Sequence, residues 1–174
     1  MAIYAFEDRT PVIGEGTYVH PDAVIIGDVV IGKNCFIAPN ATLRADWGSI
    51  RIGDNCNIQD NCIIHVGKGN TCVLEDMCHI AHGTVIHGAH LEKECFVGMN
   101  CLILDNAVIH YQAALGANTM VLLGREIPEN TLVTGQPANR FMPIDEKRRA
   151  KINSGRALYM GLPERYRKGL KRID

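Results

Sequence analysis

From Val19 onward the aliphatic residues fall on every sixth position, as Val19, Ile25, Ile31, Ile37 and Leu43. Four residues beyond each of the first four stands a small or apolar residue, Ala23, Val29, Cys35 and Ala41. The rhythm resumes at Ile52/Cys56 and Ile58/Cys62, reaches Ile64, and continues through Leu74/Cys78, Ile80/Thr84 and Ile86. It then runs through Leu91/Cys95, Val97/Cys101, Ile103/Ala107, Ile109/Ala113 and Leu115/Thr119 to Val121, with Val133-Thr134-Gly135-Gln136-Pro137 as a degenerate last rung. A period of six suits neither a helix nor an alternating strand, so each hexad predicts a short strand followed by a corner. Three hexads make one coil of about eighteen residues, and the expected fold class is all-β, a parallel β-helix.

The repeat also serves as a ruler. Positions three hexads apart lie on the same face of successive coils, separated by about 4.8 Å. One face carries Ile25, Leu43, Ile64, Ile86 and Ile103, so Ile26, Arg44, His65, His87 and Leu104 form an outward column, and His65 and His87 are expected to be neighbours. The preceding face carries His20, Ala38, Gln59, Ala81 and Gly98, with Asp60 and His82 one residue further along, near the corner. Three extra residues between Leu43 and Ile52 and four between Ile64 and Leu74 interrupt the count, and each insertion is a candidate functional loop.

From Asp145 the hexads stop and helical spacing begins. Asp145 suits an N-cap, and Ile152, Leu158, Tyr159 and Leu162 give an interrupted apolar stripe. Ser154-Gly155 is expected to break the first helix, with Pro163 opening a second. The chain therefore divides into a β-helix over residues 1–140 and a C-terminal α-helical extension over 141–174. Charge is split along the same line: residues 1–138 hold 7 Lys/Arg against 15 Asp/Glu, and residues 139–174 hold 11 against 4. A basic arm for nucleic acid is one reading; the simpler one is a tail that docks on its own acidic body.

With 174 residues, 47% of them hydrophobic and 21% charged, the chain is ample for one core and unlike a disordered segment. No apolar run approaches the roughly 20 residues of a membrane span, and nothing near Met1 reads as a secretory signal, so the expected location is the cytoplasm, without membrane or nucleic-acid partners. The seven cysteines raise the alternatives of disulfides or a thiolate metal site. Six of them, Cys35, Cys56, Cys62, Cys78, Cys95 and Cys101, take the small inward position of a hexad and read as core residues. Cys72, in an insertion, is expected to be the exposed thiol.

Of the seven histidines, His20, His79, His90 and His110 read as structural or surface residues. His65 and His87 can supply two nitrogens to one Zn²⁺ at roughly 2 Å. His82 sits on a neighbouring face, and three-fold packing of triangular prisms would bring a second copy's His82 across. The alternative is three unrelated surface histidines.

His65, His82 and His87, with Arg44, Asp46, Gln59 and Asp60, resemble residue by residue the pattern of the γ-class carbonic anhydrases. Tyr4-Ala5-Phe6-Glu7, Val19-His20-Pro21, Ile26-Gly27-Asp28-Val29 and Val97-Gly98-Met99-Asn100 resemble a γ-carbonic-anhydrase-like subgroup that includes carnitine-pathway and phenylacetate-pathway hexapeptide proteins. The resemblance implies a left-handed β-helix and a homotrimer, with a metal held by His65 and His87 of one subunit and His82 of the next. It also implies interface ion pairs from Arg44, Asp46 and Asp60, and a catalytic and substrate-binding role for Gln59 in orienting solvent or bicarbonate. Asn57 and Tyr159 are further candidate substrate contacts.

Such a site implies a zinc-dependent carbonate dehydratase, a lyase in which zinc-activated water attacks CO₂ to give bicarbonate. Fe²⁺ or Co²⁺ suits the same ligands. The sequence departs from the pattern where proton shuttling is concerned: Trp47 replaces a glutamate after Asp46, and Val66-Gly67-Lys68-Gly69-Asn70-Thr71 lacks the acidic loop. His79, Glu75 or buffer would then relay protons. Three alternatives stand beside hydration: an acyl-CoA thioesterase, a CoA-dependent acyltransferase, for which Val133 to Arg140 resembles a terminal coil, and a non-catalytic trimeric scaffold.

Overall fold

The computed structural model describes residues 2–174. The hexads fold into a left-handed parallel β-helix whose strands stack coil upon coil. Phe36–Ile37, Asn57–Ile58, His79–Ile80, Phe96–Val97 and Ala114–Leu115 pair in sequence, in parallel and in register, along one face. On the next face Arg44 pairs with His65 and His65 with His87, the column that the period predicts.

The interior follows from the inward alternation. Ile25, Leu43, Ile64, Ile86 and Ile103 are completely buried, as are the small partners that let the coil turn. Most corners have a residue in the left-handed backbone region directly before the small inward one. Asn34, Asn40, Asn55, Asn61, Asn100, Asn106 and Asn118 have φ between 54° and 59°, and the following residues are Cys35, Ala41, Cys56, Cys62, Cys101, Ala107 and Thr119. Asparagine tolerates this region because its short polar side chain hydrogen-bonds locally.

All seven cysteines are free and buried. Within the ladder, Cys35 donates to the Gly53 carbonyl at 3.1 Å and Cys56 to that of Glu75 at 3.1 Å. Cys72 departs from the expected exposed thiol: it lies in the strand Thr71–Leu74, in register with Ile50, with none of its surface exposed. The reason is that the two insertions pair with each other. Thr42–Ile52 runs as one strand of 11 residues around the corner, Gly69 N–H donates to the Trp47 carbonyl, and Ser49 N–H donates to that of Asn70. The alternation is thereby restored before Cys72, which points inward.

The last coil folds back as the antiparallel pair Thr131–Gly135 and Ala138–Pro143, which caps the end of that sheet. Helix α1 (Glu146–Met160) begins at Asp145, whose carboxylate accepts the Arg148 N–H at 2.8 Å. It does not break at Ser154-Gly155 but continues to Gly161, where α2 (Leu162–Gly169) starts. Leu158 points outward and is 69% exposed, so the predicted stripe is narrower than its spacing suggested.

What holds α1 in place is mainly polar. Arg149 donates to the Gln112 carbonyl at 3.1 and 3.2 Å and to the Asn130 side chain at 3.0 Å. Arg156, only 3% exposed, donates to the Glu94 carbonyl at 2.7 Å and lies 3.5 Å from its carboxylate. Gln112, Asn130 and Glu94 are all positive-φ corner residues, so α1 is pinned to one edge of the face it covers. Helix α2 packs Tyr166 against Tyr18 and Phe36, with ring centroids 5.4 and 5.0 Å apart. Among the described residues no helix is long and apolar enough to cross a membrane.

Candidate functional site

The sequence-derived candidates gather in two groups on adjoining faces. The first group is built on the column of Arg44, His65 and His87. Nδ1 of His65 lies 3.1 Å from Nε2 of His87. Behind each ring stands a carboxylate: Asp46 Oδ1 is 3.1 Å from His65 Nε2, and Asp105 Oδ2 is 2.8 Å from His87 Nδ1. An ionised carboxylate only accepts, so it takes the single N–H of a neutral imidazole and fixes the tautomer. With both rings neutral, the nitrogens that face each other carry lone pairs. Burial alone would push the Asp46 carboxyl up, but hydrogen bonds from Arg44 and His65 outweigh it and hold the group below the usual carboxylate range. The Arg44 Nη1 to Asp46 distance is 2.6 Å, so this ion pair lies within one chain.

The second group surrounds His82, at the corner of the helix-covered face. Asp60 Oδ2 is 2.7 Å from His82 Nδ1, which leaves Nε2 with the lone pair. Asp60 thus orients His82 and makes no ion pair with an arginine of its own chain. The Tyr159 hydroxyl is 3.3 Å from His82 Nε2. Burial, and secondarily Asp60, raises the Tyr159 pKa, so the phenol stays protonated and donates to that nitrogen.

Gln59 and Asn57 belong to this second group and not to the His65–His87 pair. Both are buried: Gln59 Nε2 donates to Asn57 Oδ1 at 3.1 Å, and the two amides contact the two ring nitrogens of His79 at 2.9 and 3.1 Å. His79 is stacked on Phe96 and edge-on to Tyr159. Burial pushes its pKa down to about 4, which leaves it neutral and poorly matched to a proton relay near pH 7. Glu75, the other proposed relay, bonds His90 at 2.9 Å, and His90 lies in another segment of the prism, paired with Val73 and Val108.

A cavity of about 550 Å³ lies between α1 and the sheet, with Gln59, His79, His82 and Tyr159 lining one end. Among the described residues, no three His, Cys, Asp or Glu side chains of one chain come together to hold a metal. The residue missed from sequence is Asp105. It directly follows Leu104, the next outward position above His87 in the same column, and the ruler would have found it had the residue beyond each column member been read. Its carboxylate sits where a side chain on Gly88 would be: a Cβ there would meet Asp105 Oδ1 at 2.4 Å, and Gly88 has φ +57°.

These features define a hexapeptide-repeat protein with paired, carboxylate-oriented histidines. The family model for the bacterial transferase hexapeptide (six repeats) matches residues 10–45. The chain is 34% identical over 170 residues to the carnitine operon protein CaiE of Proteus sp. (strain LE138), which covers 98% of this chain and 86% of that protein. It is 36% identical over 146 residues to CaiE of Escherichia coli (strain K12), covering 84% and 74%. Among solved structures, the BC4754 gene product of Bacillus cereus, described by name as a candidate acetyltransferase, superposes with TM-score 0.93 at 32% identity, over 95% of this chain and 96% of that one. A hexapeptide transferase family protein from Anaplasma phagocytophilum gives 0.89 at 29% identity, over 95% and 98%. The chain belongs to the γ-carbonic-anhydrase-like hexapeptide-repeat family, in the group of the carnitine operon proteins.

Proposed function

We propose that this chain forms a homotrimer in which His65 and His87 of one subunit and His82 of the partner subunit hold a divalent metal, and that the site hydrates CO₂. The observation that carries the reading is the lone-pair-to-lone-pair contact of His65 Nδ1 and His87 Nε2 at 3.1 Å. Two uncharged acceptors at that separation repel unless a cation lies between them. Two imidazole ligands at about 2.0–2.1 Å from a tetrahedral ion stand about 3.3 Å apart, close to the spacing seen. His82 carries the same kind of carboxylate on its far nitrogen, as metal-ligating histidines do.

When bound, zinc, or Fe²⁺ or Co²⁺ on the same donors, supplies Lewis-acid activation of a water for attack on the carbon of CO₂. The chain's own residues do the rest. Asp46, Asp60 and Asp105 hold the three imidazoles in the tautomer that presents a lone pair. Gln59, whose Nε2 is engaged by Asn57 and His79, leaves its Oε1 to accept from the bicarbonate hydroxyl, and the Tyr159 hydroxyl offers a donor. With His79 neutral and Trp47 in place of an acid, the released proton leaves to buffer, so turnover rises with buffer concentration.

A second reading is acyl transfer or acyl-CoA hydrolysis at the same histidines. It is favoured by the transferase name of the matching family model, by the name of the Bacillus cereus protein, and by the cavity beside His82. The deciding experiment is turnover of protein purified anaerobically with supplied zinc or iron, on CO₂ and on a panel of acyl-CoA esters, with His82→Ala as control. Hydration lost in His82→Ala supports the first reading; acyl-CoA turnover without hydration over a broad pH range replaces it with the second. Absence of metal after such preparation overturns the site itself.

A further inference from the structure

The cavity under α1 is larger than CO₂ chemistry requires, and the way α1 is mounted explains why it exists. Arg149 and Arg156 pin the helix to the edge of the face formed by Glu94, Gln112 and Asn130. A different stripe of the helix, Arg148, Ile152, Gly155 and Tyr159, faces the cavity, spaced as one helical face. Because these anchors are long and polar, the helix stands off the sheet on the N-terminal side of Tyr159, which packs edge-on against His79. The exposed lining residues on the sheet side are Met99 and Ala117, at the opposite edge. The cavity therefore opens along the edge that carries His82.

Gly155 is the second observation. Glycine in a helix interior costs stability relative to alanine, yet Gly155 lies well inside α1. It does not have a positive φ, and a Cβ built on it meets nothing within 4 Å. Neither backbone conformation nor close packing requires a glycine there. What its missing side chain provides is space in the cavity.

The chemistry of the lining is uneven. Phe96, Leu115, Leu132 and Ile152 make most of it apolar, and the exposed cations Arg148 and Lys151 stand on the α1 turns nearest its start. Arg148 is committed in part to Asp145 at 2.7 Å, whereas Lys151 has no ion-pair partner among the described residues. The opposite end holds His82 and Tyr159, eleven residues or about 16 Å along the helix from Arg148. A largely apolar space lined along α1 from the free cation Lys151 to Tyr159 suits a linear aliphatic chain with an anionic head.

We propose that the space under α1 is a binding site for an aliphatic carboxylate of medium length. Its carboxylate lies at Lys151, its chain runs beneath Gly155, and its far end approaches the His82 edge. This does not rest on metal at the histidines. A free fatty acid presents both the chain and the carboxylate, an acyl thioester the chain alone, and the experiment separates the two.

The test is isothermal titration calorimetry of the full-length chain with octanoate and with butyrate, in the presence and absence of a chelator. Octanoyl-CoA and CoA serve as separate arms. Saturable octanoate binding is expected, unaffected by the chelator and at least tenfold tighter than that of butyrate. Gly155→Leu, which fills the space without disturbing the helix, weakens it at least tenfold, Gly155→Ala weakens it less, and Lys151→Glu weakens it severalfold. Octanoate binding that falls in both Gly155→Leu and Lys151→Glu supports the free acid; octanoyl-CoA binding that falls in Gly155→Leu but is unchanged in Lys151→Glu would place a thioester's acyl chain there and overturn the carboxylate assignment. The proposal is overturned if octanoate does not saturate the protein, if Gly155→Leu with a native circular dichroism spectrum binds as tightly, or if CoA and octanoyl-CoA bind equally and octanoate not at all. Loss of octanoate binding on chelation would assign the carboxylate to the metal and also overturn it. A trimer in which partner side chains fill the slot would show no octanoate binding.

Discussion

His65 Nδ1 and His87 Nε2 face each other at 3.1 Å, and in the neutral rings Asp46 and Asp105 take the N–H on the far side of each. Between neutral rings that contact becomes favourable when a metal cation stands between the nitrogens. Metal analysis of protein prepared with excess zinc is expected to give one ion per chain, and His65→Ala, His87→Ala and His82→Ala are each expected to lose it. Asp105→Asn keeps the volume of the side chain but no longer demands the His87 N–H. It should weaken metal affinity by about 10–100-fold, measured by competition with a chromogenic chelator. Unchanged affinity would show that Asp105 does not orient the ligand.

The thiols give a second prediction. All seven cysteines are buried, and burial pushes Cys62 and Cys101 up to about 11 and Cys72 up to about 12. None of the seven should react with a disulfide reagent at neutral pH in the native protein, and all seven should react in denaturant. A raised folded-state pKa stabilises the thiol form, so this contribution is complete below the ordinary thiol range. It is lost as pH rises through about 11, and unfolding free energy should fall across that window. Reaction of a native thiol at neutral pH would contradict the burial.

How much of this was legible beforehand varies with the physics. The coil faces, the Cys35–Cys56–Cys78–Cys95 ladder and the His65–His87 adjacency follow from a six-residue period, because each inward position is fixed by burial. Cys72 was misplaced because counting along one strand cannot reveal that neighbouring insertions pair with each other. The helix break at Gly155 failed because the propensity penalty of one glycine, about 1 kcal/mol, is small beside the anchoring of Arg149 and Arg156 on either side. Gln59 was assigned to solvent near the metal, yet its amide is engaged by Asn57 and His79, and only the register of adjacent coils shows that. Asp105 was overlooked because it lies one residue past the column rather than in it.

The corners supply a third prediction. Asn118 has φ 58° and an exposed side chain, and its backbone N–H donates to the Met99 carbonyl of the preceding coil. Asn118→Ala retains the backbone bond but places an ordinary side chain in the left-handed region, at a cost of about 1–2 kcal/mol. Asn118→Gly removes the steric penalty and should recover most of that loss. Urea unfolding of the pair reads the difference; an alanine variant as stable as wild type would mean that the corner tolerates any residue.

His79 makes stability depend on acid. Its ring is buried between Phe96 and Tyr159 and held by the Asn57 and Gln59 amides. Burial, with lesser repulsion from Arg156 and His82, pushes its pKa down to about 4. A histidine depressed in the folded state is stabilising above its unfolded pKa of about 6.5, and that contribution is lost as pH falls through about 4. Between pH 7 and pH 4 this one group should remove about 2–3 kcal/mol from the unfolding free energy. His79→Asn fills part of the same space and does not titrate, so it should flatten the acid limb of the pH profile while lowering stability at pH 7. Proton nuclear magnetic resonance of the ring should meanwhile show a neutral imidazole at pH 5.5. If His79 titrates near 6.5, the ring is solvated, and the ordered Asn57–Gln59–His79 cluster that holds the Gln59 amide beside His82 does not exist in solution.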